Sequence, residues 1–176
     1  MSGLVVRAST EADVARCAEI YSHHVLHGTA SFELEPPDLA EMRKRRAAVL
    51  DIGLPHLVAE RDGRILGYAY AGNWRPRPAY KFSVEDSIYI DKDAVGQGVG
   101  KALLPVLIEQ CTALGKKQMV AVIGDSASTP SIRLHASCGF ERVGTLKNIG
   151  FKFGRWLDSV LMQRPLGPGV DMPPVA

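Results

Sequence analysis

Hydrophobic and polar positions along the chain follow two periods, and their order predicts a mixed α/β protein. Apolar runs with strand character lie near residues 4–8, 56–60, 65–72, 80–90, 119–123, 140–146 and 155–163. Apolar positions at helical spacing lie near residues 9–28, 38–52, 100–114 and 128–138. This order mixes hairpins with helical crossovers, and it predicts a central mixed sheet with helices on both faces.

Local signals refine these elements. Ser9 or Thr10 is expected to cap the first helix, and Asp62-Gly63 is typical of a hairpin turn. Pro105 lies inside an otherwise helical pattern, which predicts a kink there or a later helix start. With no internal repeat or linker, residues 1–164 are expected to form a single domain. The Pro- and Gly-rich residues 165–176 are expected to form a tail.

Composition excludes several classes of protein. Hydrophobic residues make up 46% of the 176-residue chain and charged residues 23%, close to the globular average. The net charge of +2 is too balanced for a nucleic-acid coat, although it allows a local site for a phosphorylated ligand. No apolar run approaches the roughly 18 to 20 residues of a membrane span, and the N-terminus lacks the order of a signal peptide. A cytoplasmic protein without a membrane partner is therefore expected.

Three further groups of residues have ordinary explanations. The three cysteines are far apart and odd in number, which favours free thiols over a disulfide framework or a zinc site. His23 and His27 have a helical i, i+4 spacing, but no acidic or cysteine partner lies nearby, so no metal site is predicted. The basic run at residues 43–46 is expected to be a solvated helix face.

The most informative segment is a glycine turn, Gly96-Gln-Gly-Val-Gly-Lys101, between a strand and an apolar helix. Glycines at alternating positions let backbone N–H groups converge, and the helix N-terminus adds unpaired donors and partial positive charge. Such a turn suits a phosphate or pyrophosphate. A P-loop is excluded because Ala102 follows Lys101 and the glycine spacing is too short. A dinucleotide fingerprint fits poorly, and a turn without a ligand stays open.

Two motifs together resemble the GNAT acetyltransferase superfamily. The glycine turn resembles its pyrophosphate loop, and a later stretch resembles the helix beside the cofactor arm: Ser128-Thr-Pro-Ser131-Ile-Arg-Leu-His135-Ala-Ser-Cys-Gly139-Phe140. The resemblance implies a mostly antiparallel sheet of about seven strands, acetyl-CoA as co-substrate and no metal.

Further stretches are similar to the phosphinothricin N-acetyltransferase branch, whose members also acetylate methionine sulfoximine and methionine sulfone. These stretches are Gly28-Thr-Ala-Ser-Phe-Glu33, Gly72-Asn-Trp-Arg-Pro-Arg77, Val84-Glu-Asp-Ser-Ile-Tyr-Ile90, Ile123-Gly-Asp-Ser126 and Lys152-Phe-Gly-Arg-Trp-Leu-Asp158. The resemblance implies acetyl transfer to the α-amine of a small amino acid analogue. It also implies a homodimer.

Glu85 and His135 are the predicted catalytic residues. Strand alternation puts Glu85, with Ser87 and Tyr89, on one face and Asp86, Ile88 and Ile90 on the other. The resemblance assigns the base that deprotonates the amine to Glu85, whose pKa partial burial would raise. His135 stands where many superfamily members carry a tyrosine that protonates the thiolate. No cysteine lies in a motif for an acyl-enzyme, so direct attack in a ternary complex is expected.

The remaining assignments concern the two ligands. We expect the cofactor to contact Ile88, Tyr89, Ile90, Gly96, Gln97, Gly98, Val99, Gly100, Lys101, Ser128 and Ser131. We expect the acceptor to contact Phe32, Arg75, Arg77, Glu85, Asp86, Ser87 and Phe151, because arginine forks suit phosphinate or sulfone oxygens and phenylalanines suit the pocket wall.

Two positions depart from the family pattern. The resemblance implies Arg or Gln at the position of Val95 and Asn at the position of Ser128; both departures are expected to weaken side-chain contacts to the cofactor, while the backbone donors of the glycine turn remain. Two alternative functions stay open, and only the second draws on these departures. One is acetylation of a protein, peptide or polyamine, and the other is a non-enzymatic acyl-CoA sensor.

Overall fold

The computed structural model describes residues 3–171 and residue 173. The seven strands are β1 Val5–Ala8, β2 His56–Arg61, β3 Arg64–Asn73, β4 Ser83–Ile90, β5 Gln118–Gly124, β6 Glu141–Lys152 and β7 Arg155–Pro165. The four α-helices are α1 Val14–His27, α2 Leu39–Asp51, α3 Val99–Ala113 and α4 Thr129–Ser137. No helix within these described residues is long and apolar enough to cross a membrane.

The strands form one sheet in the order β1-β2-β3-β4-β5-β7-β6. Every neighbouring pair is antiparallel except β4 and β5, which run parallel. The parallel pair requires a crossover, and α3 provides it. The predicted mixed, mostly antiparallel sheet of seven strands is confirmed.

Helices cover both faces of the sheet, as predicted. Alternating residues of β2 belong to different hydrophobic cores: Leu57 packs with Leu103 of α3, whereas Val58 packs with Val25 of α1. This follows from the period of a strand, which sends successive side chains to opposite faces. One core therefore supports α3 and the other supports α1, while α2 contributes Val49 to the first and Met42 to the second.

The helix boundaries follow local capping chemistry. Thr10 and Asp13 form a capping box ahead of α1, and Asp38 accepts a hydrogen bond from the Glu41 N–H at the start of α2. The alternative of a later helix start at Pro105 is wrong, because α3 begins at Val99 and continues through the proline. Fully buried neighbours such as Leu104 offset the roughly 3 kcal/mol that an internal proline costs.

Three predicted boundaries differ from the structure. The strand expected from residue 80 begins at Ser83, because a 3₁₀ turn takes up Pro78–Tyr80. The strand expected at residues 140–146 extends to Lys152, across register shifts that interrupt its alternation. The first two residues of the expected tail lie against the fold, because Pro165 pairs with Gln118 and Leu166 is fully buried. Its residues 172 and 174–176 lie outside the described residues, and the single domain stays a prediction.

Candidate active site

The site lies where β4 and β5 part. Their parallel pairing covers only residues 83–86 of β4 and 118–121 of β5. Beyond it, β4 stays paired with β3 as far as Ile90, and β5 stays paired with β7 as far as Gly124. The two strands therefore diverge while each keeps its outer neighbour, and backbone groups on their inner edges become available to a ligand.

Two connected cavities occupy this gap. The inner cleft, of about 300 Å³, is lined by residues 85–89 of β4, 121–124 of β5, Ala30, Ser31, Phe32, Ser128, Ser131, His135 and Ser159. The outer groove, of about 620 Å³, is lined by residues 94–96 and 98–101 together with His24, Gly28, Thr29, Ala30, Ile88, Ile90, Ser128, Pro130, Ser131 and Leu134. Ala30, Ile88, Ser128 and Ser131 line both, so the groove leads into the cleft.

The glycine turn forms the far end of the outer groove. Gly96 and Gly98 have φ values of 79° and 82°, a left-handed conformation that favours glycine. Gly100 has a different reason, because a Cβ there would lie 2.7 Å from a methyl carbon of Leu134. Two glycines therefore shape the turn, and the third lets α3 and α4 pack closely. The free N–H groups of the α3 N-terminus face this end and suit an anion.

Gln97 is the one predicted cofactor residue that lines neither cavity. Its backbone N–H donates to the Ala94 carbonyl, and its side-chain amide donates to the Asp93 carbonyl. Its side-chain oxygen accepts a hydrogen bond from Arg61. These bonds connect Gln97 to the turn and to Arg61, so the structure gives it a bracing role, and its contact with the cofactor stays a prediction. Tyr89 lines only the inner cleft, and the other predicted cofactor residues line the outer groove.

A buried carboxylate supports the start of this turn. Asp91 is 4% exposed and forms ion pairs with Arg16 of α1 and Arg64 of β3. Its other oxygen accepts a hydrogen bond from the Asp93 N–H. The chain is thus fixed at the point where it leaves β4, although sequence reasoning did not single out this cluster.

Glu85 is half-buried in the inner cleft, on the face of β4 that strand alternation predicts. Burial raises the pKa of Glu85, and the negative charge of Asp86 raises it further, while the charge of Arg75 opposes both. A carboxylate with a raised pKa is a better proton acceptor than an ordinary surface glutamate.

Asp86 and His135 form a buried pair across the opposite face. His135 Nε2 lies 2.9 Å from Asp86 Oδ2, and the two side chains are only 2% and 1% exposed. His135 Nδ1 lies 2.7 Å from the backbone oxygen of Ser131. Both ring nitrogens therefore face acceptors, which fits a doubly protonated imidazolium. Burial alone would lower the pKa of His135, but the hydrogen bond and charge of Asp86 outweigh it and raise that pKa. The other oxygen, Asp86 Oδ1, is buried without a hydrogen-bond partner among the described residues.

Three predicted acceptor residues lie elsewhere. Phe151 is 57% exposed and packs edge-on against Trp156, outside the cleft. Arg75 and Arg77 line a separate surface depression, where the Arg75 guanidinium stacks over Trp74. A 3₁₀ turn, Pro78–Tyr80, follows this loop. Arg75 does not line the cleft, although its charge still acts on Glu85. Of the seven predicted acceptor residues, Phe32, Glu85, Asp86 and Ser87 are brought together.

Sequence reasoning did not predict the contacts that hold Phe32 and its neighbours against the cleft. The Phe32 ring fills a slot between Gly124 and Gly150, where a Cβ on Gly124 would lie 2.9 Å from the ring. Lys152 is 3% exposed and donates hydrogen bonds to the carbonyls of Gly28 and Ser31. Lys152 lies outside the predicted strands, and its position between Phe151 and Phe153 was the available signal. No cluster of three or more metal-binding side chains occurs within the described part of the chain.

Comparison with known proteins agrees with this geometry. Residues 6–161 match the acetyltransferase (GNAT) domain family. The chain is 58% identical to phosphinothricin N-acetyltransferase of Alcaligenes faecalis, over 93% of this chain and 83% of that protein. It is 39% identical to the L-methionine sulfoximine/L-methionine sulfone acetyltransferase of Salmonella typhimurium strain LT2, over 93% of this chain and 95% of the relative.

A solved structure has the same fold and a bound cofactor. It is a GNAT superfamily phosphinothricin acetyltransferase from Sinorhizobium meliloti in complex with AcCoA. The TM-score is 0.95 at 48% sequence identity, and the alignment covers 98% of this chain and 93% of that one. With a parted β4–β5 pair, an anion-binding turn and these relatives, the chain belongs to the GNAT acetyltransferase family.

Proposed function

We propose that this protein transfers an acetyl group from acetyl-CoA to the α-amine of a small amino acid analogue such as L-phosphinothricin, methionine sulfoximine or methionine sulfone. The observation that carries the proposal is the gap between β4 and β5, which joins an anion-binding groove to a small cleft containing Glu85. A cleft of about 300 Å³ suits a small acceptor. The names of the relatives support this substrate class.

The outer groove fits acetyl-CoA. The α3 N-terminus and the glycine turn suit the pyrophosphate, and the freed backbone groups of residues 87–90 suit the pantetheine amides. When bound, acetyl-CoA supplies an activated thioester. Val95 is 63% exposed and brings only an apolar side chain to this groove, so at this position only the backbone can donate to the cofactor.

Glu85 and the Asp86–His135 pair divide the proton chemistry between the two faces of β4. Glu85 takes a proton from the acceptor ammonium, so that the amine becomes a nucleophile. His135, held as an imidazolium by Asp86, is the proposed proton source for the departing thiolate. Both of its N–H groups already have acceptors, so the proposed route runs through Ser131 Oγ, which lies 3.4 Å from His135 Nδ1 and lines both cavities: the hydroxyl gives its proton to the thiolate as it takes the one from Nδ1. Backbone N–H groups in the gap stabilise negative charge on the thioester oxygen.

Direct attack is the proposed route, since no cysteine belongs to the described lining of the cleft. Burial raises the pKa of Cys17 and of Cys111 to about 12, so neither is a ready nucleophile. Double-reciprocal plots that intersect are expected for a ternary complex. Parallel lines would contradict it.

The decisive experiment measures CoA-thiol release from acetyl-CoA with several amines. L-Phosphinothricin, methionine sulfoximine and methionine sulfone are compared with spermidine and a lysine peptide. Turnover confined to the first three supports the proposal. Turnover only with spermidine or the peptide would overturn the acceptor class, and CoA binding without any turnover would favour an acyl-CoA sensor.

We also propose a homodimer that forms through the β6 side of the sheet. The strand is at the sheet edge, and large apolar side chains on the β6–β7 hairpin are exposed: Val143, Leu146, Ile149, Phe151, Phe153 and Trp156. An edge strand and an apolar patch of this kind usually mark an interface.

A cytoplasmic location is proposed as well. All three cysteines are free, as predicted, which is typical of a reducing compartment. Cell fractionation tests this location, and recovery in an extracytoplasmic fraction would overturn it.

A further inference from the structure

One short segment separates the two ligand cavities. The wall segment, residues 28–33, contributes Gly28, Thr29 and Ala30 to the outer groove and Ala30, Ser31 and Phe32 to the inner cleft. It contains no helix or strand, so no backbone ladder holds it in place. The Gly28 N–H donates to the His24 carbonyl and the Thr29 carbonyl packs against Gly124, and the rest of the segment's support comes from side chains that reach it from other elements.

Lys152 provides the longest-range of these contacts. Its Nζ lies 2.9 Å from the Gly28 carbonyl oxygen and 2.7 Å from the Ser31 carbonyl oxygen, although these residues are 124 and 121 positions away in the chain. One amine therefore binds both sides of Ala30, the residue shared by the two cavities.

The structure fixes Lys152 firmly. It is the last residue of β6 and pairs with Arg155 across a tight turn, in which Phe153 and Gly154 have φ values of 52° and 71°. Two-residue turns with positive φ at both positions hold hairpin strands in register. Burial lowers the pKa of Lys152, while the negative charge of Glu33 opposes this effect.

Other contacts to the wall segment are weaker or more exposed. The Tyr21 hydroxyl pairs with Ser31 Oγ at 2.8 Å, and Arg45 forms an ion pair with Glu33 at the surface. Phe32 is wedged between Gly124 and Gly150 but remains 36% exposed. Without Lys152 the two carbonyls would lose their buried donor, which usually costs more than an exposed ion pair contributes.

We propose that Lys152 is a positioning residue for the acceptor: by binding the carbonyls of Gly28 and Ser31 it fixes the wall of the inner cleft. This inference rests on the proposed function. The acceptor side is expected to depend on the wall more than the cofactor side does, because the wall gives the inner cleft the large side chain of Phe32, whereas it gives the outer groove only the small residues Gly28, Thr29 and Ala30. Loss of Lys152 therefore weakens acceptor binding more than acetyl-CoA binding or turnover.

The test compares Lys152→Met, which keeps the stem and removes the donors, with Lys152→Arg, which keeps donors. Lys147→Met, at an exposed position of the same strand, is the matched control. For Lys152→Met the KM for L-phosphinothricin is expected to rise about tenfold, the effect of losing a hydrogen bond from a charged donor. The kcat and the KM for acetyl-CoA are expected to stay within about threefold, and Lys152→Arg is expected to recover part of the loss.

Hydrogen exchange supplies a readout that is independent of turnover. Amides of residues 29–33 are expected to exchange faster in Lys152→Met, while those of α3 stay unchanged. An acceptor KM within twofold of wild type, or a uniform fall in kcat with exchange faster everywhere, would overturn the inference. If wild type acetylates none of the amino acids, the proposed function fails instead.

A second variant covers the case in which Lys152→Met does not fold. Tyr21→Phe removes the hydroxyl that binds Ser31 and keeps the buried ring. A rise of about threefold in the acceptor KM, matching a neutral hydrogen bond, supports the role of a fixed wall. An unchanged KM contradicts it.

Discussion

At the scale of single residues, Glu85 connects burial with catalysis. A base works only when ionised, so activity falls at low pH as Glu85 becomes protonated. Because burial and Asp86 raise its pKa, this acid limb of kcat/KM is expected above the range of an ordinary glutamate. In Glu85→Gln the limb is expected to disappear, and kcat to fall by about 100-fold or more. Steady-state pH profiles test this, with exposed Glu109→Gln as control, and a Gln variant with nearly full kcat would exclude the role.

The protonation of His135 makes the unfolding free energy of the protein depend on pH. Its folded-state pKa is raised, so the Asp86 pair contributes stability fully below the unfolded-state pKa of about 6.5 and loses it as pH rises through the folded-state pKa. The difference in unfolding free energy between wild type and His135→Gln is therefore expected to shrink with rising pH. Denaturant titrations from pH 5.5 upward measure it. A difference in unfolding free energy that grows with pH would contradict the imidazolium assignment.

The same residue has a separate kinetic test. If His135 is the proton source for the thiolate, His135→Ala is expected to lose at least about tenfold in kcat, or about 1.4 kcal/mol. A kcat within about threefold of wild type would leave His135 a structural role beside Asp86.

Residue-level reasoning from the sequence succeeded where the rule is local. The alternation of β4 correctly separates Glu85 from Asp86, because a strand has period two. It could not place Arg75 and Phe151, because their direction depends on a loop and a hairpin. The contact of Lys152 with Gly28 was beyond reach, since no local pattern encodes a pairing across 124 positions.

At the scale of elements, the glycine turn is the testable unit. Gly98→Ala is expected to raise the KM for acetyl-CoA about tenfold, because a left-handed alanine costs about 1 to 2 kcal/mol and shifts the donors at the α3 N-terminus. Gly115→Ala is the matched control, since Gly115 has a φ of 77° but lies at the other end of α3. Equal effects of both substitutions on the KM would contradict a cofactor-binding turn.

Elements bounded by characteristic turn residues could be predicted from the sequence. Elements whose bounds depend on distant contacts were harder to predict. The glycine turn and the Asp62-Gly63 hairpin contain residues that readily adopt the left-handed backbone conformation found there. The full length of β6 could not be predicted, because its glycines and register shifts obscure the alternation of apolar and polar residues. The start of α3 was hard to predict because Pro105 lies inside the helix. The buried core offsets the free-energy cost of that proline.

At the scale of the whole molecule, the proposed dimer has a direct test. Light scattering is expected to give twice 19.1 kDa. Trp156→Asp is expected to produce monomers, because a charge in an apolar interface cannot be desolvated cheaply. Leu114→Asp, at a residue 53% exposed at the end of α3, is expected to leave the dimer intact. A wild-type monomer would overturn the proposal.

The parting of β4 from β5 also has a mechanical consequence. The sheet consists of two antiparallel ladders, β1–β4 and β5–β7, which share only four residue pairs of direct strand pairing. A ligand that reaches from the outer groove into the inner cleft, which is lined by residues 85–89 of β4 and 121–124 of β5, is expected to contact both ladders. The protein is therefore expected to melt at temperatures that rise with CoA concentration, as mass action requires. Bound substrate is then expected to connect the two half-sheets, so that the protein is most stable against unfolding when its site is occupied.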